Sequence, residues 1–444
     1  QVNASDSSIG REVIGGLTTF ATMSYIVFVQ PTVLAAAGMD MGSVLLATCL
    51  SSALGCFLMG LLTNYPFAMA PGMGANFLFA FTVCGAMGFS WEAGLALVFI
   101  AGALFLGLSV TGMREKVLEV LPECLKQVTG PAIGLLIAFV GFQWSGIVVL
   151  DPATMVTLGD LRQGPPLLAL GGILVTVVLL ARGFGFGILA GLLFTTSVGW
   201  VLGILPQETE AVTPGMETFF ALDFKALWLN WDDALVAVGL LFFLDLFDTV
   251  GTLVGVSGQA GYLTEEGKLP RAGRAFFSDA VGTCAGALMG TSTVTTYVES
   301  ASGVAAGART GLAPVVTGLC FLGAVVAAPL VAVVGADIGP AYYAKLGIEN
   351  AYVAMHPAVA PALSVVGFLM MAPLRRIRWE EFTEGLPAFF TLAVMSFGFG
   401  ITEGIAAGCI VYVVLMLAVG RWREVHPLLY VIAGFLAGRY GLMG

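Results

Sequence analysis

The sequence predicts an all-α, polytopic membrane protein of about fourteen transmembrane segments, arranged as two inverted halves of seven. Three observations predict it. The apolar residues make up 58% of 444, and only 10% are charged, where a soluble domain carries about 25%. The mean hydropathy of +0.96 makes lipid the solvent for most of the chain. Finally, the basic residues alternate between sparse and dense loops in a way that only an even number of crossings explains. So few charges could not cover a soluble fold of this length, which excludes a soluble enzyme, a nucleic-acid binder and a disordered scaffold.

A spanning helix needs about 20 apolar residues, and shorter runs are partial or broken spans. On that basis the segments are 13–37, 42–62, 67–88, 91–112, 127–149, 165–181, 184–205, 232–257, 276–290, 291–306, 312–334, 359–374, 386–403 and 405–420. Both termini then share one side. That side holds Arg11, Arg114, Lys116, Lys126, Arg182, Lys268, Arg271, Arg274, Arg309, Arg375, Arg376, Arg378, Arg421, Arg423 and Arg439, whereas the other holds only Arg162, Lys225 and Lys345. The positive-inside rule places both termini in the cytoplasm, and the expected location is the plasma (cytoplasmic) membrane. The start, QVNASDSSIGREV, has no basic stretch, isolated apolar run and cleavage site, so a removed signal peptide is not expected. The seven cysteines form no CxxC pair and read as free thiols in apolar surroundings.

Many carriers are inverted repeats. An offset of 223 sets Asn76 against Glu299 and Thr22 against Asp245, and Pro131-Ala132-Ile133 echoes Pro361-Ala362-Leu363 at an offset of 230. Seven crossings is an odd number, so the second half would be inverted relative to the first.

An ionisable group in lipid costs about 2.5–3.5 kcal/mol on insertion scales, so each one requires a reason. Segment 8 carries Asp245 and Asp248, three residues apart and therefore on one helix face with Thr249 and Thr252. Neighbouring carboxylates in a desolvated site raise each other's proton affinity, and one could exchange a proton near neutrality. The run from Thr291 to Ser302 holds seven Ser and Thr residues and Glu299. Its β-branched stretch Thr293–Val298, which includes Thr295 and Thr296, favours an extended backbone. Such backbone survives at membrane depth only inside protein or beside a wet cavity.

The partner in the first half is 68–79, where Pro71, Gly72 and Gly74 break the helix and Asn76 offers a donor and an acceptor beside Phe77 and Phe79. Two broken segments at matching positions are the pattern of a midplane binding site. Carboxylates accept N–H donors, the asparagine does both, and the phenylalanines can stack on a flat ring. No lysine or arginine occurs in these clusters. A planar, neutral, donor-rich heterocycle fits them, and an anion does not.

The phrases APGMGANFLFAFTV (70–83), DLFDTVGTLVG (245–255) and GTSTVTTYVESASGVAAGARTGL (290–312) resemble the signatures of the azaguanine-resistance-like permeases. These are hypoxanthine, guanine and adenine transporters within the second nucleobase–cation symporter family, and the likeness runs from about residue 10 to 422. The resemblance implies the inverted seven-plus-seven fold of the related uracil permease, with short strands in segments 3 and 10. It implies a core domain of 10–113 and 231–334, a gate domain of 126–206 and 357–422, and a cytoplasmic tail of 423–444. By motif matching, Asp245 and Glu299 hold the purine with Asn76 beside them, and Asp248 is the proton-coupling acid. Family members usually have a small residue after the asparagine. Phe77 departs from that, which bears on the preferred purine. Kinship with dimeric relatives implies a homodimer.

The expected activity is purine import by proton symport, with elevator-like motion of core against gate and no cofactor beyond the coupling proton. No GxxxxGK[ST] phosphate loop is present to bring ATP to it. An intramembrane aspartyl protease would take its acids from separate helices, a channel would repeat polar rings along a pore, and an anion exchanger of this fold would need cations at the site. Outside the clusters, His356 and His426 read as surface residues, Glu403 as a polar cap ending segment 13, and Asp279 as structural. Gln143 and Trp144 read as candidates to meet the core across the gate.

Overall fold

The computed structural model describes residues 8–111, 120–151, 153–209, 212–262, 264, 269–345 and 354–442. Arg114, Lys116 and Lys268, counted above for topology, lie outside them. The chain divides into two compact units, Gln1–Val110 with Val140–Val365, and Thr111–Phe139 with Val366–Gly444. Segments 6 and 7, expected in a gate, are part of the first unit.

In the first unit, α1 (Ile9–Met23) is joined through Ser24 and Tyr25 to α2 (Ile26–Ala35), then α3 (Met41–Thr63) follows. Asp40 caps α3 by accepting from the Ser43 amide at 2.7 Å. Asn64 ends it in the left-handed region (φ 57°), a conformation its short polar side chain tolerates. The next apolar stretch cannot continue as helix through Pro71 and Gly72. It forms β1 (Met69–Pro71), then α4 (Met73–Phe77), which widens into π-helix over Leu78–Ala86. Helix α5 (Trp91–Thr111) completes this group.

Helix α6 (Glu123–Trp144) crosses from the second unit into the first at residue 140. An exposed hairpin of β2 (Val148–Asp151) and β3 (Met155–Leu158) leads to α7 (Gly164–Ala181) and α8 (Gly187–Val201). The second half repeats the order of helix, helix, strand, short helix and helix. It runs α9 (Trp231–Ala260), α10 (Ala272–Met289), β4 (Val294–Thr296), α11 (Ser300–Ala305) and α12 (Leu312–Ala324). Helices α13 (Ala328–Val334), α14 (Gly339–Lys345) and α15 (Ala360–Leu369) follow, and α15 passes into the second unit at residue 366.

Strand β1 pairs antiparallel with β4, with Met69 opposite Thr296, Ala70 opposite Thr295 and Pro71 opposite Val294. The pairing satisfies backbone groups of strands whose residues are all buried. Small residues let the surrounding helices close around it, as membrane helices do where lipid supplies no hydrophobic drive. A Cβ on Gly60 of α3 would lie 2.4 Å from the Gly311 oxygen, and one on Gly303 of α11 would lie 2.1 Å from the Thr19 hydroxyl. Asn64 locks the first crossing by accepting the Gly311 amide at 2.8 Å.

The second unit contains most of α6 and the end of α15. It adds α16 (Phe382–Phe397), α17 (Ile401–Ala418) and α18 (Pro427–Leu442). Gly134 of α6 and Gly367 of α15 meet backbone to backbone, and Gly404 and Gly408 of α17 lie close against Met395 and the Thr391 hydroxyl of α16.

Among the described residues eight helices are long and apolar enough to cross a membrane, and four shorter apolar helices accompany them. All seven cysteines are free thiols. Two expectations are corrected. His356 is not a surface residue: it is 7% exposed, its Nδ1 lies 3.0 Å from the Gly335 oxygen, and Trp144 packs edge-on at 4.5 Å. A loop histidine can be buried when backbone and an aromatic ring both receive it. Glu403 opens α17 rather than closing the preceding segment, and an acid in a first turn complements the helix dipole. Within the stretch expected as a tail, Pro427–Leu442 form the helix α18. His426 is exposed, as its place after the last span suggests.

Candidate substrate-binding site

The first unit gathers the polar residues of both halves around the β1–β4 pair. The ladder continues beyond the strands: the Gly72 amide donates to the Thr293 oxygen at 2.9 Å, and the Tyr297 amide to the Ala68 oxygen at 3.0 Å. The Tyr297 hydroxyl donates to the Pro71 oxygen. Cys56 of α3 brackets Met69, accepting its amide at 3.2 Å. Two helices, each starting directly after a strand, therefore hold their first turns beside a fixed backbone crossing.

Asp245 and Asp248 lie on the face of α9 that meets this crossing. Asp245 is 3% exposed, and its Oδ2 accepts from the Thr283 hydroxyl at 3.1 Å. Thr283 in turn receives the Val294 amide at 3.1 Å, so α10 ties the acid to β4. The second oxygen of Asp245 has no hydrogen-bond partner. Asp248 places Oδ2 3.4 Å from the position a Cβ on Gly72 would occupy, and the Thr295 methyl is 2.9 Å from the same point. A side chain at residue 72 would fill that gap. Glycine leaves it open.

Glu299 precedes α11 and accepts from the Tyr25 hydroxyl at 2.9 Å. Asn76 is fully buried in the first turn of α4, where its Oδ1 accepts from the Ser292 hydroxyl and its Nδ2 lies 3.8 Å from the Met73 sulfur. Thr295 shares a hydrogen bond of 2.7 Å with Thr249, and the Thr296 hydroxyl is buried without a partner. Phe77 tilts against Phe81 at 5.4 Å, and Phe81 reaches Trp144 at 6.5 Å. Phe79 instead packs its ring edge on Gly94 of α5. The structure thus brings Asp245, Asp248, Glu299, Asn76 and Thr295 around one crossing, while Phe79 belongs to the packing behind it.

Several partners escaped sequence reasoning. Tyr25 sits in the break between α1 and α2. Gln30, fully buried, donates to the Thr291 hydroxyl at 2.8 Å. Asp279 of α10, read as structural, accepts from the Thr249 hydroxyl at 2.8 Å and leaves its other oxygen unpartnered. The available signal was the same for all three: a polar residue inside an apolar run. Among the described residues no lysine or arginine pairs with any of these four acids.

A membrane-spanning helical protein with two broken segments crossing at a buried, acid-lined, cation-free site is built as a permease. The comparisons agree. The chain matches a family model described as "Permease family" (Xan_ur_permease) over residues 10–342, and it belongs to that family. It is 44% identical to the guanine/hypoxanthine permease PbuG of Bacillus subtilis, over 96% of this chain and 94% of that one. It is 38% identical to the adenine permease AdeP of Escherichia coli, over 95% and 90%. Among solved structures it resembles the transmembrane domain of the cyanobacterial bicarbonate transporter BicA. That match has a TM-score of 0.63 at 14% identity and covers 90% of this chain and 96% of that one, a likeness of fold alone. The family and its relatives transport; they are not enzymes.

Proposed function

We propose that the protein imports purine nucleobases (hypoxanthine, guanine or adenine) across the plasma membrane by symport with protons. The observation that carries this reading is the cation-free crossing itself, where Asp245, Glu299 and Asn76 offer acceptors and a donor beside the β1–β4 pair. Neutral ring N–H groups suit such a site, whereas an anion would meet three carboxylates. The relatives that transport guanine, hypoxanthine or adenine support the same class of substrate.

In this reading Asp245 and Glu299 accept purine N–H groups, Asn76 completes the ring's edge, and Thr295 and Thr296 supply hydroxyls. Phe77 bounds the site, and Phe79 holds it from behind. Asp248 carries the coupling proton, and no other cofactor takes part. Fourteen segments in two inverted halves form the fold, with strands in segments 3 and 10. A core (10–113 and 231–334) moves elevator-like against a gate (126–206 and 357–422), both termini face the cytoplasm, and two chains form a homodimer in the bilayer.

The deciding experiment is uptake of labelled hypoxanthine, guanine, adenine, xanthine and uracil into proteoliposomes, with and without an inward proton gradient. Saturable purine uptake that concentrates only with the gradient is expected. Absence of saturable purine uptake overturns the substrate, and accumulation indifferent to the proton gradient overturns the coupling.

A further inference from the structure

The acid that the reading above leaves without a role is Asp279. It is fully buried in α10, one oxygen accepts from Thr249 at 2.8 Å, and the other is unpartnered. The charged groups facing it are Asp245 and Asp248 from α9. The adjoining strand β4 and helix α3 contain no charged residue, only the thiols of Cys49 and Cys56 on α3. Thr249 links this acid to the ligand side, because its hydroxyl also meets that of Thr295 at 2.7 Å, and the Thr295 side chain neighbours Asp279 as well.

The direction of this chain follows from counting protons. An ionised carboxylate only accepts, so Thr249 must donate its single hydroxyl proton to Asp279. Thr249 then has only lone pairs left for Thr295, and Thr295 must donate its own proton inward. Its lone pairs alone remain for the ligand side. When Asp279 takes up a proton it becomes a donor. The carboxyl O–H turns to Thr249, Thr249 turns its proton to Thr295, and the Thr295 proton is freed to point outward. One proton is added at Asp279; no covalent bond along the chain breaks, and two hydroxyls rotate.

We propose that Asp279, Thr249 and Thr295 form a reversible hydrogen-bond chain that converts protonation of Asp279 into a donor at Thr295, where the purine binds. Thr249 is the positioning residue of this chain and touches no substrate. The proposal rests on proton-coupled purine transport and adds to the Asp248 proton a second protonation, at Asp279, that tunes purine affinity. It makes binding reciprocal: the protonated protein holds a purine acceptor atom more tightly, and bound purine favours protonation. The chain is buried, so its hydrogen bonds are not replaced by water when one member is removed.

The test measures equilibrium binding of labelled hypoxanthine to the purified full chain across acidic to alkaline pH. Proton-independent exchange and gradient-driven accumulation are measured in proteoliposomes. Thr249→Val should bind, exchange and accumulate purine with the pH dependence of affinity lost. Thr249→Ser keeps a hydroxyl and should restore that dependence. Asp279→Asn offers Thr249 an amide donor and should hold affinity at the acidic wild-type value at every pH. Wild-type pH dependence in Thr249→Val or in Asp279→Asn overturns the chain, as does equal loss in the Val and Ser variants. A wild-type protein that takes up no purine instead overturns the function on which the chain rests.

Discussion

The Tyr25 hydroxyl donates to Glu299 Oε1 at 2.9 Å, joining the break in the first helical segment to the turn that follows β4. The two residues are 274 positions apart in the chain. They meet because β1 and β4 pair at the centre of the first unit and bring both halves' interruptions to one level. Tyr25 thereby occupies one oxygen of the carboxylate.

Tyr25→Phe should therefore weaken purine affinity while leaving the protein folded. Hydrogen bonds to charged groups contribute about 1.5–3 kcal/mol, so a loss of roughly tenfold to hundredfold is expected. Titration of labelled hypoxanthine into the purified variant measures it. An unchanged affinity would detach Tyr25 from the site.

The acids should divide by role. Asp245→Asn and Glu299→Gln each remove a ligand acceptor and should abolish purine binding, whereas Asp248→Asn should bind and exchange purine yet fail to concentrate it. Binding and accumulation, measured on the same proteoliposome preparation, separate the two. Full accumulation by Asp248→Asn would transfer the coupling role elsewhere.

Backbone closeness at the α3 crossing predicts steric intolerance. A Cβ on Gly60 would lie 2.4 Å from the Gly311 oxygen, and one on Gly311 would lie 2.0 Å from the Gly60 oxygen. Either alanine must push the helices apart, and overpacking typically costs about 1–3 kcal/mol. Thermal unfolding in detergent should show both variants melting earlier than the parent. Gly434→Ala, where nothing lies within 4 Å, should melt as the parent does.

The β2–β3 turn carries a pH dependence of its own. Asp151 Oδ1 accepts from the Ala153 amide at 2.8 Å, the Thr154 amide at 2.9 Å and the Thr154 hydroxyl at 3.0 Å. The Thr154 and Ala153 amides, with the Thr154 hydroxyl, hold this exposed carboxyl below the usual carboxylate range. A depressed folded-state value means the stabilisation is present above the unfolded value and is lost as pH falls through the folded one. Hydrogen exchange at Ala153 and Thr154 should accelerate in acid, and Asp151→Asn should remove that acid step. Exchange in the parent that ignores acid would contradict this.

Much of the site was legible along the chain. Asp245 and Asp248 are conspicuous because a charge in an apolar run is costly, and Pro71-Gly72 cannot stay helical. The same rule does not sort Asp279, since a buried acid satisfied by a threonine looks alike in sequence whether it is structural or functional. His356 misled for the opposite reason. Loop position suggests exposure, but burial is decided by which backbone and which ring close over the residue.

Composition and the spacing of apolar runs are local quantities, so the sequence by itself determined that this is a helical membrane protein and where its segments fail. Which failures meet was decided only in three dimensions. The register that sets Ala70 opposite Thr295 places Asp248 beside Gly72 and Thr249 between Asp279 and Thr295. Hydrogen bonds have a reach of about 3 Å, and no pattern along one strand specifies its partner's register to that precision.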